Sequence, residues 1–246
     1  MSARIRADLL LVQRGLFDSR ARAQAAILAG GVTAGGAVVK KPSETLPADI
    51  AIVAEPAHPY VSRGGLKLRA ALDRFGISAQ GRACLDVGSS TGGFSQVLLL
   101  DGARHVTAVD SGREQFHASL RENARITLME GTDIRTLTVA DLPERPDLAV
   151  IDVSFISLAL ILPAVAALLA PGGQIIALIK PQFEVGRAQI GKGGIVKDEA
   201  ARAAAVQRIA ALLAELGFAP QPPIPSPIAG GDGNIEYLIA AQGRAP

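Results

Sequence analysis

The chain has 246 residues, 49% of them hydrophobic, which allows one large α/β domain with a sizeable core plus a small second domain. Lys and Arg exceed Asp and Glu only enough for a net charge of +2, weak support for a polyanionic partner. The single cysteine, Cys84, excludes an internal disulfide and reads as a small buried hydrophobe. Met1 to Asp8 is charged and no apolar segment of the signal-peptide kind follows, so a cytoplasmic protein is expected.

Residues 1–57 read as a separate small domain. Ala7 to Arg14 has the spacing of a short helix ending at Gly15. Asp18-Ser19 is an N-cap signal for a second helix, Arg20 to Ala29, stopped by Gly30-Gly31. Val32 to Val39 reads as a hairpin across Gly35-Gly36. Arg4, Arg6, Arg20, Arg22, Lys40 and Lys41 cluster around these elements. Charge alone fits a solvated basic face as well as a polyanion site. The Pro-rich segment Glu55 to Pro59 opens a linker, taken as 58–63, and His58 reads as a surface side chain of it.

The remainder, 64–246, alternates strand and helix. Gly65 to Phe75 is helical in spacing, with Gly76 as its stop. Lys67 falls in its first turn, where the helix dipole disfavours a cation, and such local conflicts are expected at functional sites. Ala83 to Val87 is a buried strand, Gly88 to Gly93 a small-residue turn, and a helix starts at Phe94. Strand, glycine turn and helix open a doubly wound α/β unit whose backbone N–H groups can approach a polar ligand. Further strands are expected near 105–109, 126–129, 147–153 and 174–180, with helices near 94–101, 114–122, 157–169 and 198–216. Val153 to Ala170 is nearly as apolar as a membrane span. Asp152 before it and Pro163 within it favour the end of a strand followed by a buried helix. The Pro-rich stretch Pro220 to Pro227 suits an edge, Gly230 to Asn234 a turn, and Ile235 to Ala240 a last strand antiparallel to that edge.

The second strand ends in Asp110, an acid placed to take the two hydroxyls of a ribose. The dinucleotide fingerprint fails because Ser90 stands where glycine is required. Asp86 before the turn, Gly-x-x-x-Gly-Gly within it and Asp110 beyond it look instead like the S-adenosyl-L-methionine site of a methyltransferase. A Rossmann-like sheet of seven strands is expected on that resemblance. Four charged residues interrupt otherwise apolar segments: Lys67, Asp152 and Lys180 at the ends of the fourth and fifth strands, and Glu236 at the start of the last. The carboxyl ends of parallel strands line the ligand crevice, so Asp152 and Lys180 point there. The order Lys-Asp-Lys-Glu resembles the signature of FtsJ-type RNA ribose 2′-O-methyltransferases. On that resemblance Lys180 handles the hydroxyl proton, as base or as charged stabiliser of the alkoxide. Lys67 and Asp152 orient, and Glu236 fixes the lysines. No metal-ligand cluster and no Ser/His/Asp arrangement is seen.

The small domain resembles the RNA-binding domain named after ribosomal protein S-four, through Ala7-Asp-Leu-Leu-Leu-Val-Gln-Arg-Gly-Leu-Phe17, Ser19-Arg-Ala-Arg-Ala23 and Ile27-Leu-Ala-Gly-Gly-Val32. That resemblance implies RNA contacts at Arg4, Arg6, Ser19, Arg20, Arg22 and Lys41. With Ser62-Arg-Gly-Gly-Leu-Lys67, Gly88 to Phe94, Ile179-Lys-Pro-Gln-Phe-Glu184, Lys192 to Asp198 and Gly233-Asn-Ile-Glu236, the whole chain is similar to the TlyA family, rRNA cytidine 2′-O-methyltransferases also labelled hemolysins. The resemblance implies cofactor contacts at Gly88, Ser89, Asp110 and Asp133. Asp86, Ser90, Gly92 and Phe94 join them as the surround of the turn. It also implies a substrate-covering loop, Phe183 to Lys197, with RNA contacts at Arg187 and Lys192. The family has a shorter form acting on large-subunit RNA and a longer one acting on both subunits, and this length resembles the shorter. A pore-forming hemolysin, a non-catalytic RNA-binding protein and, most weakly, an NAD-dependent dehydrogenase are the alternatives. The partner implied is ribosomal RNA or a ribosomal subunit and no membrane; the oligomeric state is open.

Overall fold

The computed structural model describes residues 3–230 and 233–244. Gly231 and Asp232, inside the turn read at Gly230 to Asn234, lie outside the described residues. The chain divides into two compact units, Met1–Pro59 and Tyr60–Pro246.

In the first unit β1 (Arg4–Arg6) runs directly into α1 (Ala7–Gln13), followed by α2 (Arg20–Leu28), β2 (Val32–Ala34), β3 (Ala37–Val38), β4 (Thr45–Pro47) and β5 (Ile52–Ala54). The Ser19 hydroxyl caps α2, accepting the Arg22 N–H at 3.3 Å. The β2–β3 turn needs left-handed backbone at both central residues, and Gly35 and Gly36 supply it at φ 57° and 81°. β1 pairs antiparallel with β4, and β2 lies between β3 and β5. Leu10, Leu11, Ile27 and Val32 form the centre of its core. Strands β1, β4 and β5 were not legible in sequence, because three residues are too few to show an alternation and no Gly-Gly turn marks them as one marks β2 and β3.

In the second unit the elements are α3 (Gly64–Phe75), β6 (Ala83–Val87), α4 (Gly93–Leu100), β7 (His105–Asp110), α5 (Ala118–Arg121), β8 (Ile126–Glu130), β9 (Leu148–Ile151), α6 (Leu158–Leu168), β10 (Gln174–Ile179), α7 (Pro181–Glu184), α8 (Glu199–Glu215), β11 (Phe218–Pro220), β12 (Ile224–Pro225) and β13 (Tyr237–Gly243). One mixed sheet has the order β11-β13-β10-β9-β6-β7-β8, with the short β12 also on β13. The seven expected strands are present, and β12 is added because the Pro-rich stretch touches β13 twice. β13 does not merely flank the Pro-rich edge; it inserts between β11 and β10, antiparallel to both.

Side chains alternate across the sheet, so each strand feeds two cores. Cys84, Val106, Val150, Leu178 and Leu238 pack with α3 and α4 on one face. Leu85, Ile151, Ile179 and Ile239 pack with α6 and α8 on the other. Each fully buried aliphatic side chain stabilises the fold by roughly 1.5–3 kcal/mol relative to exposure. α6 carries Pro163 inside it, and among the described residues no helix is long and apolar enough to cross a membrane.

Three expectations are corrected. The helix read at 114–122 is only Ala118–Arg121, because the Glu130 carboxylate takes the N–H groups of Gln115 and Phe116 and Glu114 is left-handed at φ 59°. Glu236 precedes the last strand instead of starting it, since pairing begins at Tyr237. Residues 60–63, read as the end of a linker, pack within the second unit: the Val61 N–H donates to Gln96 at 2.7 Å and Tyr60 lies against Gly65.

Gly65 tests that last contact. A Cβ there would lie 2.4 Å from the Tyr60 ring. Gly65→Ala should cost roughly 1–3 kcal/mol, the usual penalty of overpacking, read as a lower denaturation midpoint with an unchanged slope.

Candidate active site

The glycine turn after β6 is closed by the Gly92 N–H, which donates to the Ser89 carbonyl at 2.7 Å. Gly88 and Gly92 are left-handed at φ 80° and 88°, and a Cβ on Gly88 would sit 2.5 Å from the Asp152 carbonyl oxygen. The turn after β6 can therefore lie this close to Asp152, the residue that follows β9, because residue 88 has no side chain. Ser90, also left-handed at φ 44°, is held by its N–H donating to Asp110 Oδ2 at 2.7 Å. The other oxygen of Asp110 accepts from the Gly112 N–H at 2.7 Å. Each carboxylate oxygen keeps a further lone pair for a ligand hydroxyl.

These strand ends surround a cavity of about 590 Å³, lined by Gly88, Ser90, Asp110, Asp133 and Asp152 among the residues singled out in the sequence. Asp133 is forked by Arg135, whose hydrogen bonds hold its carboxyl down to about 2. Gly92 and Phe94 do not line the cavity. Gly92 lies against Phe116 and Leu120, leaving no room for a Cβ, and Phe94 is a core side chain. Asp86 and Ser89 are buried beside the turn. Asp86 Oδ2 accepts from Ser95 at 2.6 Å, while Asp86 Oδ1 and Ser89 Oγ have no hydrogen-bond partner. Unpartnered buried polar atoms are rare, and two of them beside one glycine turn suit a polar ligand.

Lys67, Asp152, Lys180 and Glu236 come to one face of the sheet by parity. Val150, Leu178 and Leu238 face α3 and α4, so Asp152, Lys180 and Glu236, each two positions away, continue that face. Lys67 of α3 meets them there. Its Nζ donates to Glu236 Oε2 at 2.5 Å, both side chains being at least nine-tenths buried. Lys180 Nζ lies 2.6 Å from Asp152 Oδ1 and donates to the Ser154 hydroxyl at 2.8 Å. The Asp152 contact is a close ion pair without hydrogen-bond alignment, and Oδ1 accepts no hydrogen bond. Ile179 is opposite Tyr237, so the next residues outward, Lys180 and Glu236, are cross-strand neighbours. Of the four, only Asp152 lines the cavity.

Several residues that hold this arrangement carried no role in the sequence reading. Ser154 gave no signal beyond its place after Asp152. Phe155 is 92% exposed at the cavity mouth and left-handed at φ 64°, a strained backbone for an aromatic residue; its ring centroid is 5.2 Å from that of Phe183. Glu184 ties the two loops together: its carboxylate accepts from the Ser157 hydroxyl at 2.6 Å and from the Leu158 N–H at 2.8 Å. Buried Asn234 holds the far end of the 183–197 loop, accepting from the Val196 N–H and donating to the Gly194 carbonyl, both at 3.0 Å. Between these anchors Arg187 and Lys192 stand exposed on short 3-10 turns.

In the first unit the sequence-predicted basic residues divide by environment. Arg6 and Arg20 both donate to buried Asp8. Arg22 pairs with Asp18 at 3.2 Å, Arg4 bonds Thr45, Ser19 serves as the α2 cap, and Lys41 is exposed.

Comparison with known proteins gives matches along almost the whole chain. FtsJ-like methyltransferases match residues 60–243, and the S4 domain matches residues 5–49. The 16S/23S rRNA (cytidine-2'-O)-methyltransferase TlyA of Mycobacterium tuberculosis is 44% identical, over 97% of this chain and 90% of that protein. The 23S rRNA (cytidine-2'-O)-methyltransferase TlyA of Campylobacter jejuni is 44% identical over 73% of this chain and 69% of its own. A solved structure from Streptococcus thermophilus, provisionally named a hemolysin, is 41% identical with a TM-score of 0.77, covering 100% of this chain and 91% of that one.

The buried acid beside the turn gives a pH prediction. Burial, aided by the nearby charges of Asp152 and Asp110 and opposed by the Ser95 hydrogen bond, pushes Asp86 up to about 7. Unfolded, the same carboxyl ionises near 3.8. Between these values the folded state holds the extra proton, so stability falls as pH rises from about 4 to about 7 and levels off above. Asp86→Asn lacks that titration. Its thermal midpoint should gain on the parent protein across that window and hold the gain beyond it; a pH-independent difference would rule out a raised carboxyl.

Proposed function

The chain belongs to the FtsJ-like methyltransferase family, and we propose that it methylates the 2′-hydroxyl of a cytidine in large-subunit ribosomal RNA, with S-adenosyl-L-methionine as donor. The observation that carries this reading is the pair of contacts Lys67–Glu236 and Lys180–Asp152 on one face of the sheet, with Asp152 also lining the cavity. The cofactor, when bound, supplies the methyl group. The residues present fit it: Asp110 offers acceptors to ribose hydroxyls, and Asp86 and Ser89 keep unpartnered polar atoms beside the turn. The names of both cytidine methyltransferase relatives include 23S RNA, which supports the large subunit as substrate.

A ribose hydroxyl is a weak nucleophile and needs orientation before it needs activation. Lys180 is the group assigned to it. Its ammonium is fixed from two sides, by Asp152 and by Ser154, so it holds the hydroxyl oxygen and stabilises the negative charge that builds on it as the hydroxyl proton passes to solvent. Lys67 and Glu236 neutralise each other out of water and fix the segment that precedes β13, next to Lys180. Exposed Phe155 offers a stacking face to a base at the cavity mouth. The basic residues of the first unit, with Arg187 and Lys192, supply phosphate contacts, which give affinity more than sequence reading.

The purified protein, large and small ribosomal subunits supplied separately, and methyl-labelled S-adenosyl-L-methionine test the reading together. Nucleoside mass spectrometry should find 2′-O-methylcytidine in 23S RNA, and its absence defeats the proposal. Methylcytidine in 16S RNA as well would remove the large-subunit restriction. Lys180→Ala should lower turnover by roughly 10²–10³-fold while changing cofactor affinity little, because its contacts are made to the reacting oxygen. Asp110→Ala should do the reverse, weakening cofactor binding first, by calorimetry.

A further inference from the structure

Asp8 is fully buried in a small apolar core, yet it is a carboxylate. A buried charge persists only when its lone pairs are all answered. Here they are. Oδ1 accepts from Arg6 Nε at 3.0 Å and from the Leu9 N–H at 3.0 Å. Oδ2 accepts from Arg6 Nη2 at 3.1 Å, Arg20 Nη2 at 2.9 Å and Gln24 Nε2 at 2.7 Å. Arg6 comes from β1 and Arg20 from α2, two elements joined at this point by one carboxylate. The acid is saturated and the arginines are not. A guanidinium has five N–H donors; Arg6 commits two nitrogens and Arg20 one, and their side chains stay 42% and 52% exposed. Both Nη2 atoms rest on the same oxygen, so the two free edges are neighbours. The Arg6 hydrogen bond is the largest of the influences that hold the Asp8 carboxyl well below the usual carboxylate range, so the anchor is ionised at any physiological pH.

We infer that Asp8 is a positioning residue for RNA: it locks Arg6 and Arg20 side by side as one rigid two-guanidinium site for the phosphate backbone. The inference rests on the reading that these two arginines touch RNA. Its physical content is preorganisation. A free arginine loses much rotamer freedom on binding a phosphate, whereas these two have already lost it in the folded protein. The arrangement gives up one unit of net positive charge, which by long-range attraction alone would weaken RNA binding.

That opposition makes the sign of one measurement decisive. Affinity of the full-length protein for 23S rRNA transcript is measured across a KCl series, with folding checked by circular dichroism and thermal midpoint. Asp8→Asn removes a negative charge, so attraction by net charge alone predicts tighter binding. Positioning predicts weaker binding, roughly 3–30-fold at fixed salt, as for loss of one or two phosphate contacts, with the effect vanishing in an Arg6→Ala/Arg20→Ala background. A folded Asp8→Asn variant that binds equally or more tightly overturns the inference. Should that variant not fold, Arg20→Lys decides: it keeps the charge and loses the planar fork, so undiminished affinity overturns the inference and a loss supports it. Arg6→Ala and Arg20→Ala that both leave affinity unchanged would sink the RNA-contact reading itself, an outcome distinct from failure at Asp8 alone.

Discussion

The register of β13 against β10, Ile179 opposite Tyr237, is the constraint on which the site depends. In a parallel sheet the strands all end on one edge, and their last residues crowd there. An antiparallel strand inserted among them begins at that edge, so the residue before it joins the crowd. Glu236 reaches Lys67 and comes beside Lys180 for this reason. A slip of one residue would turn Glu236 to the opposite face, among the aliphatic side chains of α6 and α8, and leave Lys67 buried with no counter-charge.

That dependence has an energetic side. The Lys67–Glu236 pair is withdrawn from water, and such a pair is weak support for stability when intact but costs roughly 3–5 kcal/mol when one partner is removed. The pair therefore specifies geometry more than it stabilises. Other contacts do similar work at lower cost: Glu184 ties the Lys180 loop to the start of α6, and Asn234 ties the 183–197 loop to the segment ending in Glu236. The charged groups are thereby held in fixed positions by the folded protein itself.

The two units use charge in different ways. In the second, Lys67 and Lys180 are each neutralised by one carboxylate and largely buried at the sheet edge. In the first, one buried carboxylate serves two arginines and leaves both partly exposed. The first pattern suits a single small acceptor group; the second suits a polyanion whose affinity is spread over many contacts.

The fold was largely legible in the chain because its signals are local. Apolar runs ending in Gly88, Asp110 and Asp152 mark parallel strands, and Gly76 and Ser19 act within one turn of the helices they bound. Where a distant group intervened, local reading failed: Glu130 shortened α5 by taking its first N–H groups, and Asp8 showed only as one charged residue in a helical pattern. The sequence by itself determined which residues were out of place in their surroundings, Lys67, Asp152, Lys180 and Glu236, because a charge in an apolar run is visible without coordinates. Only the tertiary structure decided which charge answers which, that Ser154, Glu184 and Asn234 hold them, and that Phe155 is turned outward. Those outcomes depend on strand order, on the antiparallel insertion of β13 and on facing parity, all of which are set by pairing between segments far apart in the chain.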